Sequence, residues 1–121
     1  MLVLMIAPGE KPRRAVLDDT LEAMQAAVGG SIQAVYPFEE PVALVCHEEG
    51  KLLGLPANRG LRDETGQLYD IVCGTFFLCG APPDSEHFTS LTEEQLGRYE
   101  SMFRRPELFV ALGGKLLCLP I

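Results

Sequence analysis

The sequence predicts an α+β fold: a single domain over residues 1–121 with a mainly antiparallel sheet and two or three helices packed on one face. Three observations carry this. Short apolar runs bounded by Gly and Pro recur along the chain, a capping-box signal opens an amphipathic helix at Thr92, and no linker, repeat or low-complexity tract divides the 121 residues. A chain of that length buries about two-thirds of its unfolded surface, so neither a disulfide nor a metal is required for stability. With 47% apolar and 22% charged residues the composition is that of a folded protein.

Leu2-Val3-Leu4-Met5-Ile6 is a continuous apolar run stopped by Pro8-Gly9, as expected of a strand covered on both faces within a sheet. Arg14 to Leu17 can return antiparallel after the turn Gly9 to Pro12, giving an opening hairpin. Asp19 and Glu22 have the spacing of a capping box, and Leu21, Met24 and Val28 recur at helical spacing before Gly29-Gly30. Ile32 to Phe38 is strand-like and closes at Pro37 and Pro41.

Val42 to Cys46 is a strand meeting the turn Glu48-Glu49-Gly50, and Lys51-Leu52-Leu53 is expected to return beside it as a hairpin. Gly54 to Gly60 is read as an irregular loop, since Pro56 removes a donor and glycine permits unusual dihedrals. After a second turn, Asp63 to Gly66, Leu68 to Cys79 is the longest strand signal, with a bulge or a close backbone approach at Gly74.

Ala81 to Glu86 is a loop. Thr92 with Gln95 is the strongest helix start, Leu91 can staple against Leu96, and Leu96, Tyr99, Met102 and Phe103 fall on one side of the helix. Pro106 to Phe109 suggests one further helical turn, and Lys115 to Leu119, after Gly113-Gly114, a final strand.

Charge narrows the function. A net −7 with few clustered Lys and Arg argues against direct nucleic-acid binding, and the carboxylates are too scattered to mimic a nucleic acid. Cys46, Cys73, Cys79 and Cys118 all sit in apolar runs, which reads as reduced core thiols in a cytoplasmic protein. The apolar start has no basic residues before it and is too short for a signal peptide or a membrane span.

The reactive residue types do not form a catalytic pattern. Asp84, Ser85 and His87 are nearly contiguous, whereas a nucleophile, its base and its orienter usually converge from separate segments. His47-Glu48-Glu49 lacks a second histidine, and Gly113-Gly114-Lys115 lacks the spacing of a phosphate loop. Solvated turns and helix N-termini account for the carboxylate pairs. The expectation is therefore no cofactor and no metal, and a non-enzymatic role ahead of an enzymatic one.

Asn58 and Arg59, flanked by Pro56 and Gly60, stand apart as the candidate binding residues. A guanidinium and an amide on a stiff loop can recognise a carboxylate, a phosphate or a base edge, with Glu48, Glu49, Asp70 and Asp84 as neighbouring candidates. Alternatively, Arg59 pairs internally with Asp63, Asp70 or a carbonyl and fixes the loop.

Glu48 to Leu52, Gly54-Leu55-Pro56, Asn58-Arg59, Tyr69-Asp70-Ile71 and Gly74 to Phe77 resemble the family called domain of unknown function 3846. The likeness runs from the opening strand through Phe77 and loosens in the last third. It implies a small accessory protein of a phage, plasmid or conjugative element, and it brings no activity or catalytic residue. The leading expectation is a non-enzymatic module that binds a protein partner through Leu55 to Arg59 and the acidic turns, with Arg59→Ala keeping the fold. Alternatives are an anion or small-molecule site, or a weak hydrolase, around Arg59, and a homodimer pairing through the first or last strand as an uncovered edge.

Overall fold

The computed structural model describes residues 1–121. In chain order the elements are β1 (Leu2–Ile6), β2 (Arg13–Val16), α1 (Leu21–Val28), β3 (Ile32–Val35), β4 (Val42–His47), β5 (Ala57–Arg62), β6 (Leu68–Cys73), β7 (Phe76–Gly80), α2 (Glu93–Met102), β8 (Glu107–Leu112) and β9 (Lys115–Pro120). Five strands form one antiparallel sheet in the order β2-β1-β7-β4-β3, while β5–β6 and β8–β9 are separate two-stranded ribbons.

Strand alternation divides the core into two halves. Leu4, Ile6, Val42, Leu44, Phe76 and Leu78 point to one face, where they meet Leu96, Tyr99 and Phe103 of the α2 region and Leu61 and Val72 of the β5–β6 ribbon. Val3, Met5, Ala43, Val45, Phe77 and Cys79 point to the other and meet Met24 and Val28 of α1. The two helices therefore lie on opposite faces, not on one. A sheet whose central strands, β1, β7 and β4, bury apolar residues on both faces must be covered twice. Arg14, in register with Leu4 and so on the α2 face, pins α2 by ion pairs to Glu93 and Glu100.

Several expectations hold. The opening hairpin is present, Gly29 ends α1 with a φ of 84°, and Thr92 and Gln95 form a complete capping box. The N-cap of α1 is Thr20 rather than Asp19, because the Thr20 hydroxyl accepts from Ala23 N at 3.1 Å. Met102 is exposed although its three companions on α2 are buried.

Other expectations are corrected. Lys51 to Leu53 is not a return strand but part of successive turns, with Leu53 N donating to Glu49 O and Gly54 N to Lys51 O. Both edges of β4 are already taken by β3 and β7, so a hairpin partner has no edge to join. The run Leu68 to Cys79 is two strands in different layers. It breaks at Gly74, whose φ of 83° turns the chain and whose N–H donates to Pro56 O at 2.7 Å. Pro106 to Phe109 opens β8 instead of a helical turn. Of the four cysteines only Cys79 is fully buried; Cys46, Cys73 and Cys118 are half-buried.

Candidate functional site

Asn58 and Arg59 lie in β5, not in a loop, and they are the two fully buried polar residues of the chain, 0% and 1% exposed. Asn58 Nδ2 donates to Ile6 O and to Gly74 O, both at 2.9 Å, which ties β5 to the end of β1 and to the β6–β7 break. Its Oδ1 accepts from Arg59 Nη1 at 2.8 Å. Arg59 Nη1 also donates to Asn58 O, Nη2 to Glu10 O and Phe103 O, and Nε to Phe103 O.

A guanidinium has five N–H donors, and the structure gives Arg59 five hydrogen bonds. No donor is left for an anionic ligand. Burial pulls the Arg59 pKa down, while the Glu107 carboxylate acts the other way. The carbonyls supply most of what water would otherwise give the charge. Of the internal partners expected for Arg59, the carbonyl is the one found; Asp63 is engaged in its own turn, where its Oδ1 accepts from Thr65 N, Thr65 Oγ1 and Gln67 N.

The other candidate residues do not gather around Arg59. Asp70 pairs with Lys51, which brings the Glu48-Glu49 turn against β6, and its Oδ1 also accepts from Ile71 N at 2.8 Å. Glu48 and Glu49 are exposed at the start of that turn. Asp84 is exposed in the β7–α2 loop, where the Ser85 hydroxyl bonds the His87 backbone, donating to His87 O and accepting from His87 N, while the His87 ring faces Asp19 at 3.8 Å and not Ser85 or Asp84. None of these four carboxylates lines the groove that opens beside Arg59.

That groove, about 1160 Å³, runs between the β5–β6 turn, α2 and the base of the β8–β9 ribbon. Its polar wall is a network that local sequence gives no sign of. Glu40 Oε1 accepts from Arg98 Nη1 and from the Tyr99 hydroxyl, although Glu40 lies 58 residues before Arg98. The Tyr99 hydroxyl, then Arg98, hold the Glu40 carboxyl below its ordinary range against the opposing effect of burial. Burial, then Glu40, push the Tyr99 hydroxyl up. Acid, phenol and guanidinium thus satisfy one another. No group of three or more His, Cys, Asp or Glu side chains is arranged to hold a metal ion.

The remaining feature is the β8–β9 ribbon. Its root is fixed by Glu107, which accepts from Gly60 N at 2.7 Å and pairs with Arg62. Its tip is the two-residue turn Gly113-Gly114, with φ of 57° and 79°, the positive pair that a tight hairpin needs. Glycine supplies both angles without a Cβ penalty. The register pairs Leu108 with Leu119, Val110 with Leu117 and Leu112 with Lys115 on one face. Glu107, on the opposite face, points to β5, so this aliphatic face points to solvent. Two apolar runs around Gly-Gly are the signal that marks this hairpin in the sequence.

A family model described as Domain of unknown function (DUF3846) matches residues 1–104. The chain belongs to that family. The DUF3846 match reaches beyond the strand at Phe77 to take in α2 and the Phe103 carbonyl that Arg59 holds, and it stops before the ribbon. No curated protein and no solved structure matches this DUF3846 chain. No helix in it is long and apolar enough to cross a membrane.

Proposed function

We propose that this DUF3846 protein is a non-enzymatic protein-binding module, a cytoplasmic accessory protein of a phage or other mobile element, and that its contact element is the β8–β9 ribbon. The mobile-element setting follows from the family resemblance. The binding role is supported by one observation: the outward face of the ribbon is aliphatic from Leu108 to Leu119 and nothing in the fold covers it. Exposed apolar surface of this kind on a soluble domain marks a protein contact. The polar groups that would serve an anion site or a hydrolase are already engaged with one another or with the backbone.

Affinity capture with tagged protein tests this reading, using wild type, a Leu117→Glu/Leu119→Glu variant and Val16→Glu as an exposed apolar control on β2. Proteins retained by wild type and Val16→Glu, untagged copies of the chain among them, should be lost from the ribbon variant while its circular dichroism stays unchanged. Equal recovery from all three sinks the reading.

A further inference from the structure

The ribbon is too small to be an independent layer. A two-stranded hairpin by itself is marginal in water, and the main element this one packs against is β5 at its root. On its outward face Leu108, Leu112, Leu117 and Leu119 remain between 40% and 66% exposed, with the half-buried Val110 between them. Near the tip the other face is no more polar, since Ala111 and Leu116 are exposed there.

Charge indicates what covers it. Residues 106–121 contain only Glu107 and Lys115 as charged side chains, so the whole excess of −7 lies in the preceding residues. Glu107 is held by Arg62 and Gly60. Two copies of this chain repel each other almost everywhere except at the ribbon, where an aliphatic face meets its own kind and the one charge on it, Lys115, sits at the tip and stays in water. A foreign partner selected for this acidic protein would be matched by charge, and the ribbon face presents only Lys115 at its tip.

We infer that the outward face of β8–β9 packs against the same face of a second copy across a two-fold axis, making an isologous dimer. This rests on the binding role proposed above and names its occupant. Edge-to-edge pairing of the last strand fits less well. Ile121 N donates to Pro106 O, which places the outward N–H groups of β9 on Leu116 and Cys118 and leaves Pro120 with none to give. Joining edges would also merge two wet aliphatic faces into a larger one. Face packing covers both, as in a small two-layer sandwich. One face of a two-stranded ribbon is smaller than the roughly 800 Å² a standard interface buries on each side, so the dimer is reversible.

Sedimentation equilibrium of the purified full chain over a range of concentrations tests this. Wild type and Val16→Glu should show a monomer–dimer equilibrium, and Leu117→Glu or Leu117→Lys alone should weaken it on the order of 100-fold. Mixing the Glu and Lys variants should restore dimer, since the two faces then carry opposite charges. Circular dichroism and a urea midpoint confirm that each variant is folded; should one fail to fold, the wild-type concentration series still decides. A wild type that stays monomeric overturns the inference, and so does a dimer that ignores Leu117. If the wild type is monomeric while lysate capture still depends on the ribbon, the inference fails and the binding role stands. If capture is also indifferent to the ribbon, both fail.

Discussion

Nε and Nη2 of Arg59 both donate to the carbonyl of Phe103, each at 3.1 Å. Phe103 is the C-cap of α2, so a buried cation from β5 closes the negative end of that helix. Through Nη2 the same side chain holds Glu10 in the β1–β2 turn. Arg59 thereby joins three segments that are distant in sequence.

Arg59→Met should therefore destabilise the fold, by about 2–4 kcal/mol, because it strands the buried Phe103 carbonyl and Asn58 Oδ1 without their donor. Arg59→Lys should recover little, since an ammonium cannot reproduce the planar set of five donors. Urea denaturation measures both. An unchanged midpoint for Arg59→Met would show that the clamp contributes nothing. The sequence-level expectation that Arg59→Ala keeps the fold intact is replaced by this one.

Asn58 holds Ile6 and Gly74 at once, and Gly74 allows that geometry. A Cβ at Gly74 would lie 2.9 Å from Leu55 Cδ1 in a backbone of positive φ, so Gly74→Ala should cost about 1–3 kcal/mol. Gly97 in α2 has open space where its Cβ would go, and Gly97→Ala should stabilise by about 0.5–1 kcal/mol. Thermal melts of the two variants should move in opposite directions.

The Glu40 network predicts an acid limb of stability. The folded carboxyl is held below its ordinary value of 4.5, so its contribution is present above that pH and is lost as pH falls through the folded value. Glu100, paired with Arg14, and Asp63 titrate in the same direction. Glu40→Gln should lower stability at neutral pH and flatten the loss that sets in as pH falls below 4.5, measured by urea midpoints at a series of pH values. A variant whose pH slope equals that of wild type would remove Glu40 from the account.

Burial pushes the Cys79 thiol up to about 12. Its thiolate is scarce at neutral pH, and the side chain is out of reach on the α1 face. Alkylation under native conditions near pH 8 should reach Cys79 last, at a rate that follows unfolding. Peptide mapping of alkylated protein along a urea series checks this, and early labelling of Cys79 would contradict its place in the core.

The sequence by itself determined what depends on near neighbours. The Thr92–Gln95 box, the left-handed Gly29, the turn from Asp63 to Gly66 and the apolar runs of β1, β4 and β7 all follow from interactions within a few residues, and the family is legible in the run from Glu48 to Phe77. Tertiary structure alone decided which edges were vacant, which is why Lys51 to Leu53 has no strand to join and why Leu68 to Cys79 divides between two layers. It also decided the fate of Asn58 and Arg59. A guanidinium beside turn residues reads as a recognition loop until the carbonyls of Glu10 and Phe103, 49 and 44 residues away, come within hydrogen-bonding reach. Burying a charge requires a complete set of partners, and those partners come together only when the layers pack.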